Sequence, residues 1–456
     1  MSNSLFISVK NKWNNPEFQK YFKNTLWLFS EKFIRLGVGF FVGVLVARYL
    51  GPKNFGILSY AQSVVFLLLP IASLGIDSIV VRELVYGKDN QYIILTSAFI
   101  LKLFGLFLYF FILYILVKLL NNSSYVNNII FIISLSVIFE IFKVIESFFQ
   151  SKTLLKYISL SELTSFFTVS ILKIFFIIIK FPLLFFALSY PIERFLASLG
   201  YLYFFYKDLA RYDNPLKYPK FWKSYLLMIK KLLKWGLPIV FSGFAISIYM
   251  KIDQIIIQKL LGSYYVGQYS IAVRLTEIFL FIPVLITKSI SPSVYSLKST
   301  NSELYYNRLL FIYRFFIAIS LFISFLIFIL SEKIVNIIYG KKYLLASKIL
   351  KIYIWSNIFV YMNNASWLWY IAENLQYLAS IRLILGATVN IVLNLIFIPK
   401  YGIVGAAWTT VISYAIAAYF GNLISKKTLV NFKLLTQALF TFWKIFFVGG
   451  TKKYAK

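Results

Sequence analysis

The sequence contains two related stretches, LGPKNFGILSYA at residues 50–61 and LGSYYVGQYSIA at residues 261–272. They share a Leu-Gly pair, a second glycine, a serine and an alanine, with the same spacing in both copies. Each copy follows one long apolar run and leads into another. The repeat therefore predicts a chain made of two related halves.

The composition predicts a membrane protein. Of the 456 residues, 60% are hydrophobic and 20% are aromatic, and the mean hydropathy is +0.78. A soluble fold cannot bury that much apolar surface, whereas a membrane span needs about 20 apolar residues. The sequence thus predicts an all-α polytopic membrane protein with about twelve transmembrane helices in two six-helix lobes. The predicted spans are Leu26–Tyr49, Ile57–Ile76, Tyr92–Val117, Ile129–Phe149, Leu160–Ile179, Leu183–Tyr206, Trp235–Leu261, Val266–Ile290, Leu309–Leu330, Ile349–Ile371, Leu378–Ile398 and Ile403–Ile424.

The loops between these runs predict the domains and their orientation. Residues 24–206 form the N-terminal lobe and residues 235–424 the C-terminal lobe, and residues 207–234 are a basic cytoplasmic linker. Residues 1–23 and 425–456 are a cytoplasmic N-terminus and a basic cytoplasmic tail, because this placement puts most loop Lys and Arg inside. An even number of spans in each half makes the halves parallel repeats, as in rocking transporters.

The two ends of the chain carry further predictions. The first 24 residues are polar and lack a small-residue cleavage site, so no signal peptide is expected there. Residues 432–448 are apolar but short and include Lys444. They predict an interfacial helix, with a thirteenth span as the alternative.

Several classes of function are excluded by residues that the chain lacks. It contains no histidine and no cysteine, which rules out disulfides, thiolate metal sites and a histidine base. It has no glycine-rich phosphate loop, so ATP hydrolysis is not expected. No soluble basic domain presents the net charge of +31, so nucleic acid is not an expected partner. The sequence predicts a protein that is not an enzyme and has no cofactor or metal.

Charged residues inside the apolar runs are the strongest functional signal. A charge at the centre of a bilayer costs roughly 2.5–3.5 kcal/mol, so such residues should face a protein interior or a wet cavity. They are Arg35, Lys102, Lys143, Lys173, Lys251, Asp253, Arg274 and Glu277. This pattern favours a protein that moves a charged cargo across a membrane.

Three stretches resemble those of a known family. They are ARYLGPKNFG at residues 47–56, residues 251–283 with Lys-Ile-Asp at their start, and LNLIFIPKYGIVGAAW at residues 393–408. In content and order they are similar to Wzx-type polysaccharide repeat-unit (O-antigen) flippases of the multidrug/oligosaccharidyl-lipid/polysaccharide exporter superfamily. The resemblance extends from about Asn24 to Ile424.

The resemblance implies a MATE-like fold and a specific activity. The expected function is translocation of undecaprenyl-diphosphate-linked oligosaccharide repeat units, of O-antigen or capsule type, across the bacterial inner membrane by alternating access. It also implies a monomeric, multi-pass inner-membrane protein of lipopolysaccharide or other polysaccharide biosynthesis, with both termini cytoplasmic. A polysaccharide polymerase and a chain-length regulator are candidate partners. A cation-coupled multidrug exporter and a peptidoglycan-precursor flippase of the same fold are the alternatives.

Four basic residues are candidate ligands for the diphosphate of such a cargo, since guanidinium and ammonium groups bind phosphate well. They are Arg35, Lys173, Lys251 and Arg274. Arg274 could instead pair with Glu277, and Arg35 with Glu31, because those spacings lie on one helix face. Lys173 and Lys102 could instead reach an interface by snorkelling.

Asp253 and Glu277 are the candidates for a coupling proton or Na⁺, because a carboxylate inside a membrane can change its charge with access. An ion gradient is the expected source of energy. The alternative for Asp253 is a fixed salt bridge to Lys251 or Arg274.

Overall fold

Every regular element of the described chain is helical. The computed structural model describes residues 16–86, 90–209 and 222–447, and no strand occurs within them. The all-α prediction is confirmed. The α-helices are α1 Pro16–Ser73, α2 Asp77–Tyr86, α3 Gln91–Leu120, α4 Ser124–Ser134, α5 Lys143–Ser151, α6 Leu155–Ile178, α7 Leu183–Leu209, α8 Trp222–Leu260, α9 Ser263–Glu277, α10 Phe281–Thr300, α11 Ser302–Tyr339, α12 Leu344–Tyr353, α13 Ser356–Ala372, α14 Gln376–Ala418, α15 Leu429–Thr441 and α16 Lys444–Phe447.

Nine stretches of the described residues are long and apolar enough to cross a membrane, and the bent pair Lys341–Tyr353 and Ser356–Ala372 adds a tenth. Two of the nine are broken by glycine, because Gly51 in α1 and Gly402 in α14 have φ values of 67° and 61°. Such left-handed angles favour glycine and interrupt a helix. Counting each side of these glycines as its own span gives the twelve spans of the sequence prediction.

The chain divides into two compact units. The first unit reaches Tyr49 and resumes over Val64–Phe244, and the second comprises Leu50–Ser63 and the chain from Ala245 onward. The segment Leu50–Ser63 therefore packs with helices of the C-terminal half, although both its ends continue into the first unit. We call this segment the exchanged segment.

Each unit has its own apolar core. The core of the first unit includes Leu74, Ile76, Val80, Ile94, Ala98, Leu101, Met228 and Leu232. The core of the second unit includes Tyr313, Phe316, Tyr361, Leu368, Trp369, Leu435 and Ala438. Leu435 and Ala438 lie in α15, so this part of the tail packs into the second unit.

The predicted linker 207–234 is described only in part. Residues 210–221 lie outside the described residues, and the chain from Trp222 onward forms the start of α8. Met228 and Leu232 of α8 are buried in the core of the first unit, so one face of this basic stretch packs against that core. Neither α15 nor α16 is among the candidate spans of the described chain.

Lys102 is buried in the first unit, with 1% of its surface exposed. Its Nζ lies 2.6 Å from Oδ1 of Asp77, the first residue of α2. The expectation that Lys102 snorkels to an interface is therefore wrong, since a carboxylate on a neighbouring helix satisfies its charge.

The sequence repeat forms a reciprocal contact within the second unit. A Cβ atom on Gly56 would overlap the carbonyl oxygen of Ser263, and one on Gly267 would overlap the carbonyl oxygen of Pro52. The second glycine of each copy thus lies directly against the start of the other copy. Only glycine permits backbones to approach so closely.

Replacing Gly56 by alanine tests this contact. The added methyl group has no space, so the two backbones must separate, and we expect a loss of about 1–3 kcal/mol of stability. Thermal unfolding of the purified protein in detergent measures the change. Gly37→Ala is the matched control, because nothing lies within 4 Å of a Cβ atom there. Equal stabilities of the two variants would contradict the reciprocal contact.

Candidate functional site

Helix α8 presents two charged residues to different surroundings in the second unit. Lys251 and Asp253 are two residues apart, so their side chains leave opposite sides of the helix. Lys251 Nζ lies 3.8 Å from a carboxylate oxygen of Glu277 in α9. Asp253 is 3% exposed and points into the helix bundle.

Asp253 is held by neutral donors from two helices, α9 and α14. Tyr269 Oη donates to its Oδ2 over 2.6 Å, and Thr410 Oγ1 donates to the same oxygen over 2.7 Å. Asn394 Nδ2 donates to Oδ1 over 2.5 Å. Within the described chain Asp253 forms no ion pair with Lys251 or Arg274, so the salt-bridge alternative is wrong. We call Asp253, these donors, and the Asn390 and Thr409 side chains that bond to Asn394 the Asp253 cluster.

The turn inside α14 brings two of these donors together. Gly402 breaks the helix, and a Cβ atom on Gly405 would overlap the carbonyl oxygen of Phe397. The two arms of α14 therefore run closely side by side. This allows Thr409 Oγ1 to donate to Asn394 Oδ1 over 2.5 Å, although the two residues are 15 positions apart.

The Asp253 cluster has the chemistry of a site for a small hard cation or a proton. Its carboxylate, the side-chain oxygens of Asn394 and Asn390 and the hydroxyl of Thr410 are all oxygen ligands. No group of three or more His, Cys, Asp or Glu side chains that could hold a metal ion occurs among the described residues. A single carboxylate among neutral oxygen atoms is a ligand set that a small monovalent cation or a proton could use.

Arg274 contacts the exchanged segment. Its Nη2 donates to Oε1 of Gln62 over 3.3 Å, and its guanidinium carbon lies 4.7 Å from the ring centroid of Phe55. Glu277, the alternative partner that the sequence suggested, pairs with Lys251 instead. The structure therefore brings Lys251, Arg274 and Glu277 into one region of the second unit, with neutral groups as the partners of Arg274.

Arg35 lies in the first unit within a group of carboxylates. It forms ion pairs with Glu162, with Glu193 at 2.8 Å and with Glu31 at 3.7 Å. The pairing with Glu31 is the structural alternative that the sequence suggested for Arg35. Arg194 also pairs with Glu162, at 3.1 Å. We call these residues the Arg35 cluster.

Lys173 in α6 has a different environment from the other candidates. Its Nζ lies 4.9 Å from the ring centroid of Tyr190 in α7, a cation–π distance. Among the described residues, Lys173 forms no ion pair with a carboxylate of the Arg35 cluster. The roles of Arg35 and Lys173 in cargo binding remain predictions.

Some members of these clusters carry little signal in the sequence. Glu162 is the third residue of the predicted span Leu160–Ile179, so it lies too near the end of that span for the criterion that selected Asp253. Tyr269, Thr409 and Thr410 could not be singled out either, because tyrosine and threonine are ordinary residues of membrane helices. Only the three-dimensional arrangement assigns them to the cluster.

Comparison with known proteins identifies the family to which the chain belongs. Residues 21–295, more than half of the chain, match the family model described as "Polysaccharide biosynthesis protein". The chain belongs to this family. A curated relative, "Probable low-salt glycan biosynthesis flippase Agl15" of Haloferax volcanii, is 26% identical over 227 residues. That match covers 48% of this chain and 47% of the relative, so the chain spans about half of the relative's length.

Two solved structures have a similar fold. The lipid II flippase MurJ in an inward closed conformation aligns with a TM-score of 0.66 at 20% identity, over 94% of both chains. An inward-facing MATE family multidrug transporter of the MOP superfamily aligns with a TM-score of 0.67 at 14% identity, over 90% of this chain and 95% of that one. The fold is that of an all-α, MATE-like polytopic membrane protein, as predicted.

Replacing Glu162 by glutamine tests the Arg35 cluster as a structural element. Glu162 forms ion pairs with Arg35 and Arg194 and accepts a hydrogen bond from the hydroxyl of Tyr201. Its replacement therefore removes one negatively charged partner from each arginine. We expect a destabilisation of about 3–5 kcal/mol in thermal or denaturant unfolding. The exposed Glu303 is the control, and Glu303→Gln should change stability by no more than about 0.5 kcal/mol. If both variants unfold like the wild type, the cluster does not stabilise the fold.

Proposed function

We propose that the protein is a flippase for undecaprenyl-diphosphate-linked oligosaccharide repeat units, working by alternating access in a bacterial inner membrane. Arg274 and Lys251 contact the diphosphate, and a cation or proton at the Asp253 cluster couples an ion gradient to transport. Membership of the polysaccharide biosynthesis family and the glycan flippase among its relatives support this proposal.

The observation that carries the proposal is the set of partners around Arg274. A neutral amide at 3.3 Å and an aromatic ring hold its guanidinium. Charge-assisted bonds to phosphate are roughly twice as strong as neutral hydrogen bonds, so an arriving diphosphate can displace these partners. Arg274 is therefore held in place without being neutralised.

Arg35 differs from Arg274 in this respect. Three carboxylates surround it, and a diphosphate that approached would meet their negative charge. Displacing them would leave buried carboxylates without a partner, which costs several kcal/mol. This difference favours the second unit as the place where the diphosphate binds.

The exchanged segment offers a route for alternating access. It packs in the second unit by the reciprocal glycine contact, and it supplies Phe55 and Gln62 to Arg274. Both of its ends continue into the first unit. We propose that this segment leaves the second unit during the transport cycle, which would change the partners of Arg274.

The coupling ion acts at a site close in sequence to the cargo site. Asp253 and Lys251 lie on the same turn of α8, so a shift of this helix would move both. Glu277 is the second carboxylate candidate, and its pairing with Lys251 connects it to the cargo residues. Na⁺ and a proton both suit the oxygen atoms around Asp253.

Transport by the purified full chain in proteoliposomes tests the proposal. With a fluorescent undecaprenyl-diphosphate oligosaccharide as cargo, Arg274→Gln should lower the flipping rate at least tenfold, because the guanidinium that meets the diphosphate is lost. Lys348→Gln is the control, since Lys348 is exposed and belongs to neither cluster. An imposed Na⁺ or proton gradient should raise the rate of the wild-type protein.

The same vesicles distinguish the alternatives. Export of a cationic drug, with no movement of the lipid-linked oligosaccharide, would make the protein a multidrug exporter and would contradict the proposal. Movement of lipid II with no movement of other glycan lipids would favour a peptidoglycan-precursor flippase. A rate that neither gradient changes would contradict the coupling role of Asp253.

A further inference from the structure

Arg382 is a buried cation without an acidic partner. It lies in α14 of the second unit and is 1% exposed. Its Nη2 donates to Oδ1 of Asn363 over 2.7 Å, its Nη1 donates to the carbonyl oxygen of Ala418 over 3.3 Å, and its Cζ lies 4.4 Å from the Tyr370 ring centroid. Within the described chain it forms no ion pair, and its Nε has no hydrogen-bond partner.

Such an arrangement needs a reason, because an unpaired buried charge is normally destabilising. Neutral groups satisfy part of the guanidinium, but they do not cancel its charge. Asp253 has the opposite charge in a similar environment, because it is a buried carboxylate whose hydrogen-bond donors in the described chain are all neutral. The second unit therefore contains one buried cation and one buried anion that do not touch.

A layer of tyrosines lies between these two charges. Gly386 follows Arg382 by one helical turn, and a Cβ atom on it would lie 3.2 Å from Cε2 of Tyr249. Tyr249 precedes Asp253 by one turn in α8 and stacks on Tyr414 with a centroid distance of 4.3 Å. Asn390, whose side chain bonds to Asn394 beside Asp253, lies eight residues after Arg382 in α14, which is about 12 Å at 1.5 Å per residue.

The field of Arg382 should reach the Asp253 cluster across this distance. Tyr249 and Tyr414 stack on each other beside Gly386, so part of the path between the two charges runs through aromatic rings instead of water. At about 12 Å and an effective dielectric constant of about 20, the interaction of two unit charges corresponds to about a tenfold change in a binding constant.

We propose that Arg382 sets the cation affinity of the Asp253 cluster. Its positive charge repels a cation at Asp253 and keeps binding weak enough for the cation to leave in each cycle. In the absence of a cation, the same field stabilises the bare carboxylate. Arg382 is a positioning residue that acts through its charge, and this inference rests on the cation-binding role proposed above for Asp253.

The test is a Na⁺ titration of the thermal stability of the full chain in detergent, with choline chloride holding the ionic strength constant. Arg382→Gln should bind Na⁺ about tenfold more tightly than the wild type, and Arg382→Lys, which keeps the charge, should stay within about twofold. Arg308→Gln is the control, because Arg308 is exposed and water screens its charge. Asp253→Asn should lose the Na⁺ effect.

A second variant covers the case in which Arg382→Gln does not fold. Asn363→Asp places a carboxylate where the amide oxygen now lies, 2.7 Å from the guanidinium, and so neutralises Arg382 without removing it. It should tighten Na⁺ binding to a similar extent.

The possible failures are distinguishable. Wild-type affinity in Arg382→Gln or in Asn363→Asp, with Na⁺ binding intact in the wild-type protein, would overturn the role of Arg382 and leave the proposed function standing. A wild-type protein that Na⁺ does not stabilise would contradict the Na⁺ site itself, and the inference would fail with it.

Discussion

The cost of placing a charge inside an apolar helix bundle is the constraint on which this structure depends. The first unit meets it with opposite charges, since Arg35 pairs with Glu31, Glu162 and Glu193, and Arg194 also pairs with Glu162. In the second unit Lys251 pairs with Glu277, but neutral groups hold Asp253, Arg274 and Arg382. An ion pair neutralises a charged side chain, so that side chain binds a further ligand only weakly. Amides, hydroxyls and aromatic rings position a charged side chain without neutralising it, so the side chain can still bind a ligand of opposite charge.

Under the proposed function, this difference gives the two units different tasks. The Arg35 cluster ties α1, α6 and α7 together, which suits a rigid body. The Asp253 cluster and Arg274 keep their charges available, which suits a site whose ligands come and go. Within the second unit, the reciprocal glycine contact of the sequence repeat packs the exchanged segment against α9, the helix that carries Arg274.

The sequence predicted the helical class and the number of spans because long apolar runs and their breaks are properties of neighbouring residues. It also singled out Asp253 and Arg274, since a charge within an apolar run is visible in one dimension. The partners of these charges could not be predicted in the same way. Thr410 lies 157 positions from Asp253 and Gln62 lies 212 positions from Arg274, so only the tertiary fold brings them together. The exchange of Leu50–Ser63 into the second unit has no signal of its own beyond the repeat.

The most direct measurement of the central claim is the flipping rate of a Gln62→Glu variant in proteoliposomes, with unfolding of the same sample measured alongside. The substitution gives Arg274 a carboxylate partner like those of Arg35 and leaves the guanidinium in place. If neutral partners are what keep Arg274 available to a diphosphate, the variant will be as stable as the wild type or more so, and its transport will fall at least tenfold. A stable variant that flips the oligosaccharide lipid at the wild-type rate would contradict the account.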